Sequence, residues 1–287
     1  MIKKNNAIET LYSDFSFVFN IDKVIYKNKT EYQDLLIFEN NFFGRVMMLD
    51  GITQLTTRDE FIYHEMMVHV PILSLDKVGN VLIIGGGDGG IARECLKHKS
   101  IKSLTQVEID HTVVDMSIKY FPQVSSTAYL DPRLELIIDD GVKYIKETSK
   151  KFDVIIVDST DPEGPGSILF SEEFYKFCSE KLTENGILVT QNGVPFMQSA
   201  ELKQSISYFK NLFNHATCYL ATIPSYIGGF MAMGFATNNK DALNIGQEEI
   251  IRRFQKANIQ TKYYNPEIHL ASFKLPNFIK DIVLIKY

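Results

Sequence analysis

The stretch VLIIGGGDGG, Val81 to Gly90, places an aspartate inside a glycine-rich turn. Gly85, Gly87 and Gly90 satisfy G-x-G-x-x-G between a strand-like run and a helix-like one, Ile91 to His98. That is the setting of a nucleotide-binding βα turn. Asp88 argues against a bound pyrophosphate, because its carboxylate would oppose the attraction that a helix N-terminus offers to phosphate. A cationic ligand suits the turn better. Further polar residues close the strand-like runs that follow: Glu108 and Asp110, Asp139 and Asp140, Asp158 and Asp161, then Gln191. In an open α/β sheet the carboxyl ends of neighbouring strands border one crevice, so these acids converge. One or two of them, such as Asp110 or Asp139, suit helix N-caps. The others need cations, since like charges in a closed site raise each other's pKa. Glu108 lies about twenty residues beyond the glycine turn, where a carboxylate accepts from ribose hydroxyls. Asp140-Gly141 would fall near the adenine of such a ligand. A sulfonium nucleoside and a polyamine together supply the positive charge.

The elements that must position these residues alternate. From Phe15 to about Thr57 the pattern is strand-like, with Asp50-Gly51 as a hairpin turn between two apolar runs. This predicts a small antiparallel unit. A helix is expected from about Glu60 to Val70. Strand-like runs then recur as VLIIGG, LTQVEID, LELIIDD, FDVIIVDS, GILVTQN, HATCYLATI and MAMGFAT, the first five separated by helix-length segments. A doubly wound, mostly parallel seven-stranded α/β sheet of Rossmann type follows from that alternation. The expected division is an N-terminal β-domain over 1–60 and a catalytic domain over 61–287. The segment after Asp158, rich in proline and glycine and running over 159–169, is expected to act as a lid.

Composition narrows the function. The chain has 287 residues, 45% of them hydrophobic, and a formal charge of −5 without basic clusters, which argues against a nucleic-acid binder. Cys95, Cys178 and Cys218 are odd in number and widely spaced, so neither a disulfide framework nor a zinc ribbon is expected, and a reducing cytoplasm fits. No run approaches a membrane span. His64-Glu65 and His69 come near H-E-x-x-H, but the histidines are five apart and do not share a helical face, so no metal is expected and His69 reads as a packed histidine.

The segments YQDLLIFEN, LDGITQ, DEFIYHEMMVHVP, LIIGGGDGG, VEID, DDG, DSTDPEGPG and TQNG occur in the order and spacing of the spermidine synthases, and from about residue 10 to 275 the chain resembles a bacterial member of that family. The resemblance implies an aminopropyltransferase that moves the aminopropyl group of decarboxylated S-adenosylmethionine to putrescine, releasing methylthioadenosine. The donor is then a co-substrate, and no cofactor is implied. Carried over by position, Gln33, Gln54, Gly85, Glu108, Asp140, Gly141 and Pro165 surround the donor nucleoside, and Asp88 holds its amine. Tyr63, His64, Asp158, Ser159, Asp161, Gln191 and Tyr226 match the acceptor channel, with Asp158 as the base. The family is usually oligomeric, which implies a homodimer or homotetramer. The segment YIGGFMAMGF lacks the proline and tryptophan that family members often carry there.

Three other readings share the fold, one of them aminopropyl transfer to a different acceptor, cadaverine or spermidine. A methyltransferase acting on an amine would bring intact S-adenosylmethionine, whose carboxylate meets Asp88 unfavourably unless a cation intervenes; Arg93, one turn into the helix, is the candidate. A non-catalytic polyamine binder would need the acidic cleft but no base at the transfer site.

Overall fold

The computed structural model describes residues 5–9, 11–12, 14–160 and 164–284. The N-terminal part is antiparallel. Strands β1 (Asn5–Glu9) and β2 (Phe17–Ile21) pair with each other, and β3 (Lys23–Lys29), β4 (Asp34–Asn40), β5 (Gly44–Leu49) and β6 (Ile52–Thr56) form a meander in chain order. The β5–β6 hairpin turns at Asp50-Gly51 as the sequence predicts: Leu49 pairs with Ile52, and both turn residues have positive φ, 49° and 79°. That is the backbone a two-residue turn needs to match the strand twist. Strand β1 lies before the strand-like pattern that begins at Phe15. It is held by non-local bonds, for Glu9 accepts from the Thr53 amide of β6 at 3.0 Å.

The second unit is a seven-stranded sheet of β7 (Asn80–Gly85), β8 (Ser103–Glu108), β9 (Leu134–Ile138), β10 (Phe152–Asp158), β11 (Leu182–Gln191), β12 (His215–Ala221) and β13 (Met231–Thr237), in the order β12-β13-β11-β10-β7-β8-β9. The strands from β11 to β9 are mutually parallel, while β13 runs antiparallel to both β11 and β12. Unbroken apolar runs make this possible. Along β7 and β10, Val81, Ile83, Val154 and Ile156 pack into one core, and Leu82, Ile84, Ile155 and Val157 into another on the opposite face. Burial on both faces is what distinguishes a central parallel strand from an alternating surface one. The chain winds outward from β7 to β9 and then returns to β10 on the other side of β7, so the crevice at the β7/β10 boundary is the topological switch point.

Helix α1 (Glu60–Ser74) links the two units and is buried along almost its whole length. The sequence predicts an end near Val70, because Pro71 lacks the N–H that would bond the Met67 carbonyl. The helix nevertheless runs through Pro71 to Ser74, whose hydroxyl donates to the Val70 carbonyl at 2.9 Å. Packing on all sides of α1 overrides the local preference. Glu65 fastens this helix to the C-terminal segment, accepting from the amides of Lys262, Tyr263 and Tyr264 at 2.8 Å each while only 1% exposed. Glu65→Ala removes a charged acceptor from all three donors. The expected cost is about 2–4 kcal/mol of folding stability, measured by urea denaturation; a loss below about 0.5 kcal/mol would show that the segment is held by other contacts.

Candidate active site

Sheet register brings the two ends of the site together. Asp158, the last residue of β10, pairs with Gly85, the last residue of β7, and its carbonyl accepts from the Gly86 amide at 3.2 Å. Gly85 has φ +86°, and a β-carbon there would stand 1.9 Å from the Asp158 carbonyl oxygen, so the close approach requires glycine. The turn then enters α2 (Gly90–Lys97), where Asp88 Oδ1 accepts from the Gly90 amide at 2.6 Å. A β-carbon on Gly90 would lie 2.2 Å from the His64 ring, so glycine also lets that imidazole reach Asp88 Oδ2, 3.3 Å away.

A cavity of about 480 Å³ opens over this point, within the range of small-molecule sites. Of the residues singled out in the sequence, Gln33, Gln54, Tyr63, Gly85, Asp88, Glu108, Asp140, Gly141, Asp158, Ser159, Gln191 and Tyr226 line it. His64 does not. It is 2% exposed and stands behind Asp88, between that residue and Glu60. Asp161 lies outside the described residues. Pro165 falls in the 3-10 turn Gly164–Phe170, from which Gly166, Ile168 and Leu169 face the cavity. Leu11, Tyr12 and Gln198 also line the cavity and were not legible in the sequence. They come from two separate segments with no motif of their own.

Several of these side chains are already engaged. Tyr63 donates to Asp158 Oδ1 at 2.6 Å and packs edge-on to Tyr226, whose hydroxyl donates to the Gln54 carbonyl at 2.6 Å. Glu108 Oε1 accepts from the Asp110 amide at 2.9 Å. Asp110 caps α3 (His111–Tyr120) as expected and also accepts from Gln33 Nε2 at 3.0 Å. The cap of the helix Gly141–Glu147 is Asp140, while Asp139 pairs with Lys143 at 3.0 Å in solvent. Gln191 Oε1 accepts from the Gly193 amide at 3.0 Å.

Burial shapes the charge of the site. It pushes the Asp158 carboxyl up to about 6, with Asp88 adding to the rise and the Tyr63 hydroxyl and His64 opposing it. Burial likewise raises Glu108 to about 7, reinforced by the charges of Asp110 and Asp158. For His64 burial opposes the charged ring, but the carboxylates of Asp88 and Glu60 outweigh it and hold the imidazole at about 10. Asp158 is therefore a carboxylate tuned toward proton exchange at neutral pH, beside a second acid and a tyrosine hydroxyl. Arg93 points away from the cavity: its Nη2 donates to Glu60 Oε2, its Nε to Glu94 Oε1 and its Nη1 to the Val124 carbonyl, each at 2.8 Å. His69 is fully buried, with its ring nitrogens on Glu94 at 3.0 Å and His98 at 2.9 Å.

The whole chain has relatives. A family model described as the spermine/spermidine synthase domain matches residues 60–245, and one described as the spermidine synthase tetramerisation domain matches residues 7–57. A polyamine aminopropyltransferase of Ruegeria sp. (strain TM1040) is 51% identical over 282 residues, covering 98% of this chain and 99% of its own length. Polyamine aminopropyltransferase 1 of Pseudomonas aeruginosa is 50% identical over 96% of each chain. Among solved structures, a spermidine synthase in complex with the transition state analogue AdoDATO superposes with a TM-score of 0.92 at 38% identity, covering 98% of this chain and 95% of that one. The spermidine synthase of Thermotoga maritima gives 0.90 at 37%, covering 98% and 94%.

Tyr63→Phe deletes a donor that favours the charged form of Asp158. The Asp158 carboxyl should then titrate higher than in the unaltered protein, by roughly 0.5–1 pH unit, when followed by carbonyl-carbon NMR. An unchanged titration would mean that the 2.6 Å contact carries no electrostatic weight in solution.

Proposed function

The chain belongs to the spermine/spermidine synthase family and is a polyamine aminopropyltransferase, and from that premise we propose that its donor is decarboxylated S-adenosylmethionine, its acceptor putrescine and its base Asp158. One observation carries the assignment of roles: Asp88 and Asp158 share one cavity, and Tyr63 holds Asp158 at 2.6 Å. Two carboxylates so close favour a pair of substrates that arrive as cations.

Putrescine ammonium groups resemble that of lysine, with a pKa of roughly 10, so the acceptor arrives protonated and cannot attack carbon. In the proposed step ionised Asp158 takes one proton from the attacking nitrogen. The freed lone pair forms a bond to the donor's aminopropyl carbon attached to sulfur, and the carbon–sulfur pair returns to sulfur. The leaving thioether is neutral and needs no acid. The new secondary amine carries the positive charge, and the proton on Asp158 passes to solvent. Gln191 and Asp161 would hold the acceptor in line, with Ser159 and Tyr226 beside it. Asp88 would take the donor's amine, Glu108 its ribose hydroxyls, and Gln33, Gln54, Gly85, Asp140, Gly141 and Pro165 the rest of the nucleoside.

The geometry favours this donor over intact S-adenosylmethionine. The extra carboxylate would meet Asp88 on the cavity wall, while Arg93 is engaged by Glu60 and Glu94, and His64 is held between Asp88 and Glu60. A homodimer or homotetramer is also proposed, formed through the N-terminal strands. Ile8, Val18 and Val24 there are 52%, 46% and 44% exposed, which suits apolar surfaces covered by another subunit. A cytoplasmic location is consistent with Cys95, Cys178 and Cys218, all buried and unbridged.

Product mass spectrometry with putrescine and either donor tests the reading. Spermidine and methylthioadenosine are expected from the decarboxylated donor, and a methylated amine from intact S-adenosylmethionine would overturn it. Asp158→Asn should lower kcat by about 10²–10⁴-fold with donor binding by calorimetry nearly unchanged; near-normal turnover would remove Asp158 from the role of base.

A further inference from the structure

A chain of buried ion pairs leads away from the cavity through residues that do not line it. Asp88 Oδ2 faces His64 Nε2 at 3.3 Å, and His64 Nδ1 faces Glu60 Oε2 at 2.6 Å. Glu60 receives both terminal nitrogens of Arg93, at 3.2 and 2.8 Å. Beyond Arg93, Glu94 collects Arg93 Nε at 2.8 Å, Lys97 at 2.6 Å and His69 at 3.0 Å. The side chains of His64, Glu60 and Arg93 are 2%, 7% and 15% exposed, so water contributes little to balancing their charges.

The ring faces a carboxylate on each side. An ionised carboxylate can only accept hydrogen bonds, so with both partners ionised both nitrogens of His64 donate and the ring is an imidazolium. Four titratable side chains bear on Asp88 and Asp158 in the cleft: Tyr63, Tyr129, Glu108 and His64. Of these four, His64 alone is cationic. Glu60 faces the ring from one turn earlier on α1, and Arg93 faces Glu60 from α2. The two-point grip of Arg93 fixes the Glu60 carboxylate, which is held down at about 2: burial opposes its charge, but His64 and Arg93 outweigh burial.

We propose that Glu60, braced by Arg93, is a positioning residue for aminopropyl transfer: it holds His64 as a permanent cation behind Asp88, and that fixed charge keeps Asp158 ionised and ready to take the acceptor's proton at neutral pH. The inference rests on the assignment of Asp158 as the base. Glu60 touches neither substrate and works through His64. The sign is set by Coulomb's law, since a positive charge beside two carboxylates favours their ionised forms and its loss disfavours them. Without the cation, Asp158 would therefore lose its proton only at higher pH.

Nitrogen NMR of the imidazoles tests the first half in the unaltered protein. His64 is expected to stay doubly protonated through pH 8, and a ring that titrates near the usual value of about 6.5 would overturn the proposal. For the second half, Glu60→Gln keeps an acceptor for Nδ1 but removes the charge. With the decarboxylated donor saturating, the acid limb of kcat/KM for putrescine should move up by about one pH unit, a loss of roughly tenfold on the limb, with the rate recovered at high pH. Arg93→Lys should stay near the original limb and Arg93→Met should move with Glu60→Gln. Equal loss of rate at every pH in Glu60→Gln and Arg93→Met, with the limb in place, would reduce both residues to a structural role. If Glu60→Gln does not fold, the Arg93 pair and the unaltered protein decide. Absence of any aminopropyl product from the unaltered protein would instead defeat the assigned reaction, while the imidazole spectrum still reads the state of His64.

Discussion

Two carboxylates forced into one cleft set the terms for the rest of the structure. Asp158 ends β10 beside the last residue of β7, and Asp88 sits three residues further along the turn that β7 enters, so the sheet register alone brings them to one cavity. Left uncompensated, each would suppress the ionisation of the other. The protein answers with a tyrosine hydroxyl on Asp158, a backbone amide and an imidazolium on Asp88, and a cavity open to cationic ligands. Both the tuning of Asp158 and the preference for positive substrates follow from that balance.

Helix α1 delivers most of the compensation. It carries Glu60, Tyr63, His64 and Glu65 within two turns; Tyr63, His64 and Glu65 point to different tasks because successive side chains diverge by about 100° around a helix, while Glu60 shares the face of His64 one turn earlier. Tyr63 reaches Asp158, His64 reaches Asp88, Glu60 takes Arg93, and Glu65 fastens the C-terminal segment. A helix buried this thoroughly tolerates ionised residues only when each finds a partner. The pairs that satisfy α1 are also the pairs that organise the cleft.

The N-terminal strands close the cavity from above through polar ties between distant segments. Gln33 and Thr30, in the β3–β4 connection, both donate to Asp110 at the start of α3, at 3.0 and 2.7 Å. Asp59 Oδ2 accepts from the Ser225 amide at 2.7 Å, and the neighbouring Tyr226 donates to the Gln54 carbonyl. Of the residues in these ties, Gln33, Gln54 and Tyr226 line the cavity. The walls of the cavity thus depend on the docking of the two units as well as on either alone.

The sequence by itself determined the alternation of strands and helices after Val81, the glycine turn, the Asp50-Gly51 hairpin and the gathering of acids at strand ends, because apolar periodicity and turn chemistry are local properties. Asp88, Glu108, Asp140, Asp158 and Gln191 do line one cavity, since strand ends in a parallel sheet converge whatever the details of packing. Tertiary structure decided what local pattern cannot encode. It carried α1 through Pro71 and added β1 to the N-terminal unit. It also set His64 behind Asp88, between partners that the sequence read separately. Those outcomes turn on which side chains meet across tens of residues of chain, and only the packed topology brings such partners within hydrogen-bonding reach.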